Sequence, residues 1–415
     1  METTKVLNKK KTLVPTLRFK GFAAAWKSLK FPEVIIKSNQ GVNTTTENVQ
    51  YSEGGNVVIR SNNISENSID LSDVKYVDEE TFSRIKEPCK PKKGDILYCN
   101  IGSALGSSAI FNSNERVTIN WNVFRIQPDL KMVDNIFLSQ NLNRTRKTMR
   151  RFATESTMPF ISSKVFNRIY LNIPTLPEQQ KIASFLSAVD EKIQQLTHKK
   201  ELLEQYKKGV MQQLFSGKLR FKDGNGKAYP KWEEKKLGEV SEIIAGGTPE
   251  TNVPEYWDGE IQWYTPTEIS ERFVARSKRT ISKAGLANSS AKLLPAGTIL
   301  FTSRATIAEL SFATEECATN QGFQSLIVNV NNNSGFIFYW IKNYKKIFIR
   351  KSQGSTFLEI NKTEMTKIKI QTPCLDEQKK IADFLSAVDV KIEKVSKQIT
   401  QTQTFKKGLL QQMFV

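Results

Sequence analysis

Ile173–Ile193 reads IPTLPEQQKIASFLSAVDEKI, and Thr372–Ile392 reads TPCLDEQKKIADFLSAVDVKI. The two stretches align without a gap at an offset of 199 residues. Both are followed by the same closing pattern, Lys207-Lys208-Gly209 with Gln212-Gln213 and Lys406-Lys407-Gly408 with Gln411-Gln412. Roughly half of the aligned positions are identical, where average residue usage gives about one in twenty by chance. This is an internal duplication, and it governs how the rest of the chain is read.

Each copy carries apolar residues at 3-4 spacing: Leu186, Val189, Ile193, Leu196, Leu203, Val210 and Leu214 in one, and Leu385, Val388, Ile392, Val395, Ile399, Leu409 and Met413 in the other. That pattern predicts a coiled-coil-like helix in each copy. Pro177 with Glu178, and Asp376 with Glu377, place Pro or acid in the first turn, as helix starts prefer. A helix of this length extends about 57 Å. Two equal helices with a globular segment between them are expected to pack antiparallel. A generic oligomerisation coiled coil would show the same seam.

Fainter recurrences carry the duplication outward. Leu17-Arg18-Phe19-Lys20 returns as Leu219-Arg220-Phe221-Lys222, and Trp26 with Glu33-Val34 returns as Trp232 with Glu239-Val240. Gly94-Asp95-Ile96-Leu97 matches Gly297-Thr298-Ile299-Leu300, and Ser156-Thr157 matches Ser355-Thr356. The expected division is a first globular domain over 1–172 with a basic tail at 1–14, and a central spacer helix over 173–216. A second globular domain follows over 217–371, then a distal spacer helix over 372–415.

Composition bounds the function. Sixty-one Lys+Arg against 42 Asp+Glu leave +19 on 415 residues, which favours a polyanionic partner. Apolar residues at 39% and aromatics at 10% suffice for real cores. No apolar run is long enough to span a bilayer, and no apolar segment follows the lysine-rich start as in a signal peptide. Cys89, Cys99, Cys317 and Cys374 form no C-x-x-C pair and read as reduced cytoplasmic thiols. The single histidine, His198, leaves little room for His-based acid–base chemistry or metal sites.

Between the spacers, strand signals dominate: Ile96-Leu97-Tyr98, Thr298 to Phe301, Ser325 to Val328 and Lys367 to Ile370. A shorter helical stretch runs from Phe336 to Ile347. The fold class is α+β: two mainly-β domains with two long antiparallel helices in a pseudo-twofold repeat. Polar loops carry the amides, hydroxyls and guanidiniums that suit base edges. In the first domain these are Arg60, Asn62, Asn63, Asn100, Asn120, Trp121, Asn122, Ser156 and Thr157. In the second they are Gly246, Gly247, Thr248, Thr265, Ser303, Arg304, Asn320, Gln321, Ser355 and Thr356. The Gly-Gly-Thr backbone is expected to present N–H groups to a phosphate. Any one of these residues is also ordinary turn chemistry. Their recurrence at corresponding positions strengthens the joint case.

The two L-x-E-Q-x-K-I-A-x-F-L-x-x-x-D-x-K-I helix starts resemble those of the specificity subunit of type I restriction-modification systems. Gly246 to Pro249 followed by Glu255-Tyr256-Trp257 and Trp263 is similar too, as is the run from Arg220 through Trp232 to Leu237-Gly238-Glu239. The resemblance covers nearly the whole chain. It implies two target-recognition domains reading a bipartite asymmetric site on double-stranded DNA. It also implies docking of two modification (methyltransferase) subunits and of motor-nuclease restriction subunits. Candidate positions for the helix pair and this docking are Phe185, Leu186, Val189, Ile193, Leu196, Phe384, Leu385, Val388, Ile392 and Val395. The first domain departs from the pattern, with Asn39-Gln40-Gly41-Val42 in place of GGTP and Trp121 in place of Gln321.

No catalytic residue, metal site or cofactor is expected in the chain itself; S-adenosylmethionine, ATP and Mg belong to the partner subunits the resemblance implies. The chain lacks the glycine loop and N/D-P-P-aromatic motif of base methyltransferases, and Gly224-Asn225-Gly226 follows no strand. Asp190-Glu191-Lys192 and Asp389-Val390-Lys391 offer D-x-K, but inside the heptad helices, where they read as solvated or subunit-facing. The competing reading is a single-chain DNA methyltransferase or endonuclease with degenerate motifs. A third is a coiled-coil scaffold that binds no DNA.

Overall fold

The computed structural model describes residues 13–154, 159–304, 306–352 and 358–415. The chain divides into two compact units, Met1–Leu196 with Gln398–Val415, and Thr197–Lys397. The long helices are Leu176–Phe215, here the central helix, and Leu375–Gln412, the distal helix. Each unit thus contains the start of one long helix and the end of the other. Residues 1–12 of the basic tail lie outside the described residues.

In the first unit the run Ile96-Leu97-Tyr98-Cys99 is buried throughout, as its unbroken apolar character requires of an interior strand. It lies in a four-stranded sheet in the order Ile35–Gln40, Val123–Pro128, Ile96–Cys99, Ser108–Ile110. A three-stranded sheet orders Lys75–Val77, Asn56–Ile59 and Val117–Ile119, the last two parallel. The helix Asn135–Arg150 begins at Asp134, whose carboxylate accepts from the Phe137 amide at 2.9 Å. Its Phe137, Leu138 and Leu142 pack with Trp26 and Phe31, with Leu186 and Val189 of the central helix, and with Leu409, Met413 and Phe414. The central helix therefore runs antiparallel to the end of the distal helix in this unit.

The second unit repeats the plan with other side chains. Its larger sheet orders Ser241–Ala245, Gln324–Val328, Ile299–Phe301, Leu310–Ala313 and Phe273–Val274. Its smaller sheet orders Arg279–Ile281, Trp257–Tyr264 and Cys317–Thr319, again with a parallel pair. The core gathers Met211, Leu214 and Phe215 of the central helix, Ile381 and Leu385 of the distal helix, and the aromatic helix Ser334–Asn343. The helical stretch expected from Phe336 to Ile347 is broken in the structure at Tyr344 (φ −106°, ψ 25°), and a second helix follows over Lys345–Lys351. The Tyr344 hydroxyl donates to the Phe215 carbonyl at 3.1 Å, and this tertiary anchor overrides the local helical pattern.

The repeated motif now has a physical meaning. Glu178, third in the central helix and almost fully buried, accepts from Arg18 Nε and Nη2, both at 2.7 Å, and from Trp26 Nε1 at 3.4 Å. Glu377 repeats the arrangement with Arg220 at 3.1 and 2.6 Å and Trp232 Nε1 at 3.2 Å. The Leu-Arg-Phe-Lys echo, the tryptophan echo and the helix glutamate are thus one clamp, seen twice. The neighbouring Gln179 accepts from the Asp134 amide and donates to the Met132 and Pro174 carbonyls. Gln378 accepts from the Asn333 amide and donates to the Asn332 side chain and the Pro373 carbonyl.

The expectation that Asp190 and Asp389 face solvent or another subunit is corrected. Asp190 accepts from Gln140 at 2.9 Å and pairs with Lys406 at 2.5 Å, with only a fifth of its side chain exposed. Asp389 accepts from the Tyr339 hydroxyl at 2.6 Å and pairs with Lys207 at 2.5 Å. Each carboxylate ties a long helix to its globular domain and to the antiparallel helix segment at once.

Removing Arg18 leaves Glu178 charged and buried, so Arg18→Ala should destabilise the first unit by about 3 kcal/mol. Arg220 is more exposed than Arg18, and Arg220→Ala should cost less. Urea unfolding followed by tryptophan fluorescence measures both, and equal small losses would contradict the clamp. The thiols offer a second check. Cys89, Cys99 and Cys317 are buried, and burial pushes the Cys99 and Cys317 thiols up to about 12. The exposed Cys374 alone should react with a disulfide reagent in the native chain, and all four should react after denaturation.

Candidate nucleic-acid interface

In each unit the polar loops expected to read bases emerge from the ends of the two sheets and meet along one rim. In the first unit the Gly41 amide donates to the Val123 carbonyl and the Val42 amide to Ile119. Asn120 donates its amide to Ile59, Asn100 to Asn122, and Ile161 to Asn100. In the second unit the Gly246 and Gly247 amides donate to Phe323 and Thr319, Asn320 to Tyr264, Ser303 to Gly322, and Ile360 to Ser303. Asn39-Gln40-Gly41-Val42 therefore occupies the place of Ile244-Ala245-Gly246-Gly247 despite the missing GGTP. A Cβ at Gly41 would collide with the Asn120 carbonyl, and one at Gly246 with the Asn320 carbonyl, so both glycines permit close backbone approach.

This overturns one expectation. The Gly246 and Gly247 N–H groups bond to carbonyls of the neighbouring loop, and the Gly247 carbonyl accepts from Trp263 Nε1 at 2.9 Å. They hold the rim together and are not turned toward a phosphate.

The remaining candidates separate by burial. Asn63 is buried, accepting from the Arg60 amide and donating to the Asp70 and Asp73 carbonyls at 3.0 and 2.8 Å. Asn100 is buried in a reciprocal amide pair with Gln40, whose Nε2 also donates to the Trp121 carbonyl. Ser303 is fully buried. Thr265 bonds to Glu268 at 2.7 Å, and Asn320 accepts from the Gly322 amide at 2.9 Å. These five residues shape turns. Arg60 is partly buried and lies 3.8 Å from Asp73. On the open side of the rim stand Asn62, Trp121 and, less exposed, Asn122 in the first unit, while half-buried Asn120 has its side-chain oxygen enclosed. In the second stand Gln321, bonded to the Thr248 hydroxyl, and Arg304. Trp121 and Arg304 are each 45% exposed. Ser156, Thr157, Ser355 and Thr356 lie outside the described residues.

Two rim residues escaped sequence reasoning. Glu359 pairs with Arg304 at 2.9 Å, and its spacing gave no signal because it lies 55 residues away. Phe160, 40% exposed, bridges to Ile101 beside the Asn100 loop, and an isolated phenylalanine in sequence reads as core.

A family model for the type I restriction modification DNA specificity domain matches residues 25–205 and again 229–402. The chain belongs to this family. The matched residues include the sheets, the rim loops and most of both long helices of this specificity protein. The MjaIX specificity subunit of a type I restriction enzyme of Methanocaldococcus jannaschii is 35% identical over 190 residues, 44% of each chain. The chain thus aligns with under half the length of that relative. A putative MjaX specificity subunit of the same organism is 25% identical over 382 residues, 86% of this chain and 85% of that one. The crystal structure of the S subunit from M. genitalium shares the fold, with a TM-score of 0.61 at 15% identity over 97% of this chain and 99% of that one. Membership makes this a DNA-specificity protein of the type I restriction-modification kind.

Asn63→Ala should lower stability by about 1–3 kcal/mol through two unpaired carbonyls and leave sequence preference unchanged. Arg304→Ala should instead cost about 1–3 kcal/mol on the recognised duplex and relax one base position. Anisotropy titrations on single-base variants of the duplex separate the two. Equal weakening by Arg304→Ala on every sequence would reassign it to a phosphate.

Proposed function

We propose that the two rims read the two halves of one bipartite, asymmetric DNA target. The observation that carries this reading is a shared frame with unlike tips: Trp121 stands where the second unit places Gln321, and Gln40 where it places Ala245. Matching frames present dissimilar chemistry, so the half-sites differ in sequence. Each rim would enter a major groove with amides and guanidiniums on base edges and lysines on phosphates. The long helices would space the half-sites by about one DNA turn, roughly 34 Å.

The repeat offers two equivalent surfaces, which supports docking of two identical methyltransferase subunits. Motor-nuclease subunits would join that complex, and the partners would bring S-adenosylmethionine, ATP and Mg. Of the expected docking positions, Leu186, Val189, Leu196, Leu385, Val388 and Val395 are buried, while Phe185, Ile193, Phe384 and Ile392 are partly so. Tyr206 and Phe405, one repeat apart, are 52% and 55% exposed and are better placed to meet a partner. Among the described residues no helix is long and apolar enough to cross a membrane. The complex would work in the cytoplasm, where its DNA lies.

Four residues inserted into the central helix lengthen it by about 6 Å. The spacer of the recognised target should then change by one or two base pairs, with both half-sites kept. Profiling methylated DNA in cells carrying the variant and the methyltransferase subunit tests this, and an altered half-site would refute the spacing role. Turnover of DNA by the purified chain with Mg²⁺ and methyl donor would favour the enzyme reading instead.

A further inference from the structure

A groove of about 410 Å³ in the first unit lies between the helix Asn135–Arg150 and the end of the distal helix. Six cations line it: Arg144, Arg146, Lys147, Arg150, Lys406 and Lys407. Its lining includes one carboxylate, Glu66, held by Arg146 at 3.1 Å. Lys406 is neutralised from behind by Asp190. Among the described residues Lys147, Arg150 and Lys407 pair with no Asp or Glu, while Arg144 donates to the Val415 oxygen at 3.3 Å. Arg144 also lies over the Phe414 ring, and Arg150 donates to the Leu105 and Ser103 carbonyls.

The corresponding groove of the second unit is chemically different. At the offset of 199, Arg144, Arg146, Lys147 and Arg150 become Asn343, Lys345, Lys346 and Ile349. Lys345 is paired with Glu309. Lys207, Lys208 and Lys342 there face two carboxylates, Glu204 and Asp389. Three such cations, Lys147, Arg150 and Lys407, concentrated without counter-charge repel one another, and an anion relieves that repulsion.

We infer that the first-unit groove is a sequence-independent seat for the phosphodiester backbone of DNA, and that the second unit has no counterpart of equal strength. Continuity with the rim favours DNA over an acidic protein surface. Arg146 and Arg150 both hold the carbonyls of Ser103 and Leu105, in the loop that begins at Asn100 and Ile101. A duplex read at Trp121 and its neighbours continues past this loop, and its backbone then meets the groove. The guanidinium fork suits phosphate oxygens, and the lysines add point charge. The inference rests on the reading of the rims as DNA-binding, and its consequence is an unequal grip: one half-site is held by more phosphate contacts than the other.

The test uses the full chain in complex with its methyltransferase subunits, titrated with the recognised duplex and with a scrambled duplex of equal length across a salt series. Lys147→Gln with Lys407→Gln should weaken binding by about tenfold on both duplexes and make the salt slope shallower by about 1.8. Lys208→Gln with Lys346→Gln should change the slope by less than half as much. An unchanged slope in the first variant overturns the proposal, and loss of subunit assembly with the slope intact would assign the groove to an acidic protein surface. Equal slope changes in the two variants would overturn the asymmetry. Failure of the unaltered complex to distinguish the duplexes would count against the rim reading instead, since the salt slope does not depend on sequence.

Discussion

A carboxylate buried at the start of each long helix constrains everything around it. Glu178 and Glu377 carry a charge into a nearly water-free site, which is tolerable only with a fixed guanidinium and further donors at hand. Arg18 and Arg220 come from the segment preceding each globular domain, and the tryptophan donors come from the edge of that domain. Positive potential at the helix start adds to the attraction. One residue thus fixes the entry of the chain, the seating of the domain and the direction in which the helix departs.

The second constraint acts farther along the same helices. Asp190 and Asp389 each accept from a globular-domain side chain and from a lysine of the antiparallel helix segment. The donor from the domain is an amide in one unit and a phenol in the other. Position was retained while chemistry drifted, provided a hydrogen reached the carboxylate. The rims follow the same logic more loosely: backbone bonds between loops recur in both units, and the side chains above them do not.

Much of this was legible in the residues. The duplication, the long helices and the sheet-rich domains follow from self-similarity and periodicity, because an apolar seam and an unbroken apolar strand each permit few placements. The roles of the polar loop residues were not legible. Asn63, Asn100 and Asn62 share one chemistry, and only burial separates the turn-formers from a side chain open to solvent. The Gly-Gly amides of 246 and 247 failed as phosphate donors because the carbonyls of Phe323 and Thr319, 77 and 72 residues downstream, take the two hydrogen bonds. The break at Tyr344 was invisible because its cause, the Phe215 carbonyl, is 129 residues away. The charge on Asp190 and Asp389 looked solvated because its partners lie on other elements.

The first unit's core closes on residues from opposite regions of the sequence. The Thr16 hydroxyl donates to the Gln412 carbonyl across 396 residues, and the Phe137 and Phe414 rings stack at 5.2 Å. During synthesis, the apolar face of Leu186 and Val189 must wait uncovered until Leu409, Met413 and Phe414 have left the ribosome. The second unit in turn needs the chain up to Lys397. Both cores therefore close only when synthesis is nearly over, and the apolar helix faces left open until then are what a holding chaperone would cover.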